Sequence, residues 1–277
     1  AQQLYEGLDI KGEGTVGLIT YMRTDSTRIS EQAKREASTY IESNFGKDYL
    51  GHGDTQRKNT KNVQDAHEGI RPTSVYRTPD KVKDSITKDQ YLLYKLIWER
   101  FTSSQMAPAI YDTISIRIKA GEYIFVVSGS TLKFPGFMLL YTEGSDEESE
   151  REENHIPDLR KGQTLELLKL VPEQHFTQPP PRYTEAMLVK VLEEKGIGRP
   201  STYAPTIDII QKRGYVEKER GRFKPTELGE IVVQILQEFF REIVDIDFTA
   251  EMEEQLDKIE SGHHNRQEVL KSFYSTF

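Results

Sequence analysis

The spacing of apolar residues changes period twice along this chain, and that change limits the fold more than any other feature. Over residues 30–45, Ala33, Ala37, Tyr40 and Ile41 recur at helical spacing, with Ser30 placed to cap the start and Gly46 to stop the end. Residues 87–105 repeat the pattern with Tyr91, Leu92, Leu93, Leu96, Ile97, Trp98 and Phe101, a broad apolar face that reads as core, and Pro108 closes it. The period then falls to two over 112–118, resumes over 122–128 after an Ala-Gly turn and again over 131–134; a further strand pair is expected around Ile156 and over 164–170.

Residues 176–183, with three consecutive prolines, form a stiff extended connector. Beyond it Thr184 can cap a helix carrying Met187, Leu188, Val191 and Leu192, ended by Gly196. A second helix follows with Thr202 as its expected N-cap, because the missing amide of Pro205 is harmless only within a first turn. Segments 215–218 and 222–226 flank the turn Glu219-Arg220-Gly221 as a hairpin, which completes a winged-helix order. Residues 227–240 and 249–259 read as further amphipathic helices. The expectation is an α+β multidomain chain in which helical domains flank an antiparallel β domain: 1–107 helical, 108–176 β-rich, 177–277 helical and winged-helix-like, the last two incomplete.

Charge bears on the partner. The net charge of -8 argues superficially against nucleic acid, yet residues 143–153 hold seven acids against Arg151 alone, so the rest of the chain carries only about -2. That acidic run reads as a solvated insertion. Residues 196–226 hold seven Lys and Arg against three acids, the footprint expected for a DNA backbone, and the helix start there, with Arg199, Ser201 and Thr202, suits a phosphate. The polar, basic stretch 51–64 reads as a loop near a polyanion. Zero cysteine excludes disulfides and thiolate zinc sites. No apolar run approaches the roughly 18 residues of a membrane span and nothing resembles a signal peptide, so a cytoplasmic location is expected. The chain opens without methionine and closes within a helical pattern, which reads as a fragment of a longer protein.

Three stretches carry chemistry. In the first, a short apolar run over 16–19 delivers Tyr21 into a cluster of hydroxyls with Arg23 and Asp25. A phenol titrates near pH ~10, so a nucleophilic tyrosine needs a neighbouring cation such as Arg23, whose planar fork also fits a phosphate. In isolation the same residues describe a half-buried tyrosine beside a solvated arginine. The second stretch holds His67-Glu68; a zinc-protease reading fails because Arg71 stands where the second histidine is required. The third is the segment 196–205 already described. Asp245-Ile246-Asp247 reads as a helix start, not a cation site, and His263 and His264 as solvent-exposed.

The wording of all three resembles one family. Leu-Ile-Thr-Tyr-Met-Arg-Thr-Asp-Ser-Thr (18–27), Ala-His-Glu-Gly-Ile-Arg-Pro (66–72) and Gly-Ile-Gly-Arg-Pro-Ser-Thr-Tyr-Ala (196–204) are similar, in this order, to signatures of the type IA DNA topoisomerases. Met22, where topoisomerase III relatives usually carry proline, places the resemblance in the bacterial topoisomerase I branch. The resemblance implies a toroidal fold and an ATP-independent isomerase. It makes Tyr21 the nucleophile on a DNA phosphate and Arg23 its clamp, with His67 contacting the phosphate backbone. Asp25 would orient Arg23, while Arg199, Ser201, Thr202, Tyr203 and Arg213 would bind single-stranded DNA. It further implies negatively supercoiled duplex as partner, nucleoid association, and magnesium held by a domain preceding this chain, with no metal bound by the chain itself. A non-catalytic winged-helix module that binds single-stranded DNA is the alternative.

Overall fold

The computed structural model describes residues 1–24, 26–51, 67–142, 157 and 159–276. Asp25, most of the expected basic loop, the acidic run and Ile156 lie outside the described residues. The chain forms two compact units, 1–172 and 173–277. Among the described residues there are nine α-helices and three two-stranded antiparallel sheets.

The first unit begins with α1 (Gln2–Glu6), β1 (Leu8–Ile10) and β2 (Gly14–Val16), the strands pairing antiparallel with Leu8 opposite Val16. Residues 18–20 continue as extended chain between residue 4 and residues 71–73: Leu18 N donates to Leu4 O (2.7 Å), Thr73 N to Leu18 O (2.9 Å) and Thr20 N to Arg71 O (2.9 Å). Helix α2 (Glu31–Phe45) starts where expected, Ser30 Oγ accepting from Ala33 N, and stops at Gly46, whose φ of 97° few side chains tolerate. After α3 (Pro79–Val82) comes α4 (Lys88–Ser104), opened by a complete capping box between Thr87 and Gln90.

These elements close around one core containing Leu4, Ile10, Leu18, Ile19, Ala37, Val75, Tyr94, Trp98 and Phe101. Two of its aromatics carry polar tips, and each finds a backbone acceptor: Tyr94 Oη donates to Arg77 O (2.6 Å) and Trp98 Nε1 to Val75 O (2.9 Å). The whole apolar face of α4 is not core, however. Leu92 and Leu96 are 53% and 48% exposed, because the core lies on the Tyr94–Trp98–Phe101 side alone.

Strands β3 (Ile110–Ala120) and β4 (Tyr123–Phe134) form one long hairpin, turned at Gly121 with φ 65°. Gly129 does not divide β4, since it stays in register with Ile114. Residues 164–170, expected as a strand paired near Ile156, form no ladder among the described residues, and Leu165, Leu167, Leu168 and Leu170 are exposed. A strand exists only through a hydrogen-bonded partner, and apolar alternation by itself does not supply one.

The second unit follows the helix, turn, helix, hairpin order: α5 (Glu185–Glu194), α6 (Tyr203–Lys212), β5 (Val216–Glu219) and β6 (Arg222–Pro225). The hairpin turns on Arg220 and Gly221, both at positive φ (50° and 80°). Phe223 N donates to Tyr183 O (2.7 Å), so the end of the proline-rich connector lies along β6. Helix α7 (Glu227–Phe239) crosses Tyr215 so closely that a Cβ on Gly229 would overlap the Tyr215 carbonyl oxygen. Helix α8 (Ile246–Glu260) begins three residues before the apolar pattern suggests, since Asp245 caps it by accepting from Asp247 N and Phe248 N; α9 (Arg266–Thr276) completes the unit. Among the described residues no helix is long and apolar enough to cross a membrane.

Candidate active site

Tyr21 stands at the end of the extended segment 18–20, where Leu18 and Ile19 are fully buried and fix the chain's depth in the core. Gly17 permits that approach: a Cβ there would sit 2.6 Å from Tyr5 O. Ile19 pairs with Pro72 in an isolated antiparallel bridge, and the Thr20 hydroxyl strengthens it. Thr20 Oγ1 accepts from Arg71 N (2.9 Å) and donates to Gly69 O (2.8 Å). Thr73 Oγ1 adds a third cross-link by donating to Gly17 O (2.7 Å). The first two signature stretches are thus sewn together by backbone and hydroxyl bonds.

This stitching brings Tyr21 and His67 face to face, ring centroids 4.9 Å apart and planes at 28°. Tyr5 also meets Tyr21, in a T-shaped contact with centroids 5.4 Å apart and planes at 69°. The Tyr21 hydroxyl and the His67 ring nitrogens make no hydrogen bond among the described residues. Arg23 is exposed and forms no ion pair among the described residues, while the role expected for Asp25 falls outside them.

The hydroxyl cluster downstream of Tyr21 is structural. Thr24 Oγ1 accepts from Ser26 N (3.0 Å), the buried Ser26 accepts from Arg28 N (3.2 Å), and Arg28 O accepts from Gly69 N (2.8 Å). Glu68 and Arg71 pair at 2.7 Å. Burial of Glu68 opposes ionisation, but the Arg71 guanidinium, the Ser30 hydroxyl and Arg28 together hold its carboxyl below the ordinary carboxylate value. Gly69, in the variable position of its signature, lies so close to Ser26 O that an added Cβ would be 3.2 Å away.

In the second unit Arg199 and Thr202 meet, though not as a simple helix cap. Thr202 occupies the N-cap position of α6 without capping it. Its Oγ1 turns back to accept from Arg199 N (2.9 Å) and to donate to Arg199 O (3.0 Å). The Arg199 guanidinium is held by Asp257 (2.6 Å), by Glu253 (3.6 Å) and by Gly198 O (2.7 Å). Ser201 is exposed and Tyr203 half-buried beside it, whereas Arg213 sits at the far end of α6, roughly 15 Å along a ten-residue helix. Of the seven cations over 196–226, Arg199, Lys212, Lys218 and Lys224 are in ion pairs. The three lysine pairs are exposed, worth only about 0–1 kcal/mol, and exchange readily for phosphate.

Among the described residues no three His, Cys, Asp or Glu groups converge to hold a cation, and Asp245 is committed to capping α8. Sequence reasoning missed Tyr5, Asp257 and Glu253; only spatial proximity marks them.

The DNA topoisomerase family model matches residues 1–271. Among solved structures, full-length topoisomerase I from Thermotoga maritima is similar with a TM-score of 0.82 at 38% identity over 100% of this chain. The chain spans 44% of that protein's length. The match over nearly the whole sequence shows that the chain belongs to the DNA topoisomerase family, in its bacterial type IA branch.

Proposed function

We propose that Tyr21 is the nucleophile of a type IA strand-passage reaction. The Tyr21 oxygen attacks a phosphorus in single-stranded DNA, forming the P–Oη bond as the P–O3′ bond breaks. The phenol proton is released and the departing 3′ oxygen takes one up, so the exchange is proton-neutral. A 5′-phosphotyrosyl link and a free 3′-hydroxyl result. Another strand passes through the gap and the 3′-hydroxyl attacks back, relaxing negative supercoils; because the link conserves the phosphodiester energy, no ATP is consumed.

The stack of Tyr21 on His67 carries this reading. It presents a phenol and an imidazole edge to one place, where a phosphate can meet both, and the exposed Arg23 offers its donor fork to the charge that grows on the equatorial oxygens. In the second unit, Arg199, Ser201, Thr202, Tyr203 and Arg213 would hold single-stranded DNA. Magnesium, which the family implies, would be held by a domain outside this chain, and no step is routed through it. This chain alone, 44% of the length of its Thermotoga relative, is proposed to bind single-stranded DNA without relaxing supercoils.

The test uses the full-length protein that carries this chain. Incubation with a labelled single-stranded oligonucleotide, then denaturation, should leave a protein–DNA adduct. Tyr21→Phe should abolish the adduct while fluorescence anisotropy still reports binding; an adduct that survives the substitution places the nucleophile elsewhere.

A further inference from the structure

We propose that Asp257, with Glu253 one helical turn earlier on α8, is a positioning residue that holds the Arg199 guanidinium ready for a single-stranded DNA phosphate. The inference rests on the DNA-binding role of Arg199 stated above.

Arg199 is fixed at both ends. Its backbone is clasped by Thr202 Oγ1 through N (2.9 Å) and O (3.0 Å). A Cβ on Gly198, whose φ is 77°, would sit 3.0 Å from that same hydroxyl and 3.2 Å from the Tyr203 ring, so the turn is built close and specific. The side chain then crosses to α8: one terminal nitrogen donates to Gly198 O (2.7 Å) and lies 3.6 Å from Glu253 Oε2, and the other donates to Asp257 Oδ2 (2.6 Å) and to Glu253 O (3.4 Å). Nε makes no bond among the described residues, and the side chain remains 35% exposed.

Two carboxylates around one guanidinium leave the trio at a net charge of -1, which by itself weakens attraction to phosphate. What the arrangement supplies is geometry. A free arginine loses side-chain entropy when it engages a phosphate, and an arginine already held in one orientation loses less. The opposite reading, a latch that withholds Arg199 from DNA, predicts the opposite sign when the carboxylate is neutralised.

Binding of a fluorescein-labelled single-stranded oligonucleotide by the full-length protein, in the Tyr21→Phe background so that cleavage makes no contribution, separates these. Asp257→Asn should weaken binding roughly three- to tenfold, part of the ~tenfold or more that a whole charge-assisted contact is worth. Arg199→Ala should weaken it at least as much, and the double variant should bind no more weakly than Arg199→Ala alone. Tighter binding by Asp257→Asn, or losses that multiply in the double variant, would overturn the proposal while leaving Arg199 a DNA contact. Unchanged binding by Arg199→Ala would instead remove the role of Arg199, and the proposal with it. Should Asp257→Asn prove unfolded by circular dichroism, Glu253→Gln, which leaves the 2.6 Å bond in place, tests the same coupling with a smaller expected loss.

Discussion

Replacing Thr20 by valine removes a hydroxyl and little else, which isolates what holds Tyr21 and His67 together. Valine matches threonine in shape and favours extended backbone, so the strand itself is not disfavoured. Two main bonds disappear, the one Thr20 Oγ1 accepts from Arg71 N (2.9 Å) and the one it donates to Gly69 O (2.8 Å), together with a longer contact to Arg71 O (3.4 Å). The buried Gly69 and the half-buried Arg71 are both left without their bond. At about 1–3 kcal/mol for each orphaned group, discounted for partial solvent access, the loss is about 2–3 kcal/mol. For a unit of this size that is a fall in melting temperature of roughly 5–10 °C. The main-chain bond from Thr20 N to Arg71 O and the Ile19–Pro72 bridge survive, so the unit stays folded while residues 67–71 loosen. Displacement of His67 by about an ångström costs up to ~10²-fold in rate, and single-turnover cleavage of a single-stranded oligonucleotide should slow by ~10- to 100-fold. Thr20→Ser restores the hydroxyl and should recover most of both losses. Cleavage and melting unchanged by Thr20→Val, or no recovery with serine, would show that this hydroxyl does not organise the site.

Three further outcomes are expected. Glu68 is held below the ordinary carboxylate value of 4.5 despite its burial, so its contribution to stability is full above about that pH and is lost as the pH falls through its lower folded value. Glu68→Gln should therefore melt below the parent at neutral pH, with the gap closing in acid; a gap that widens in acid would reverse the assignment. Gly229→Ala, which forces a Cβ against the Tyr215 carbonyl, should destabilise the second unit by about 1–3 kcal/mol, read as faster proteolysis of residues 173–277 with the first unit still resistant. Arg213→Ala should weaken single-stranded DNA binding and reduce the magnitude of the salt slope by about 0.7, the share of one phosphate contact; an unchanged slope would leave Arg213 off the DNA path.

The local grammar of the chain settled most of the elements. Ser30 and Thr184 cap the helices they were expected to cap, because a cap depends on the three residues that follow it. The Arg220-Gly221 turn and the Gly121 turn likewise depend only on local backbone conformation. The same locality explains where the reading stopped. Residues 164–170 have a strand's pattern and no ladder partner among the described residues, and Leu92 and Leu96 on the apolar face of α4 stay exposed.

The site divides in the same way. Sequence wording singled out Tyr21, His67 and Arg199 by chemistry and order, since a nucleophile or a phosphate fork needs a particular side chain. It could not show that Thr20 meets Arg71 across fifty-one residues and thereby stacks Tyr21 on His67, or that Arg199 meets Asp257 across fifty-eight. Those pairings are set by long-range packing, the Ile19–Pro72 bridge in one unit and α8 against the Gly198 turn in the other. Side-chain identity fixes which atoms can react; the closure of the chain over tens of residues fixes which of them face each other.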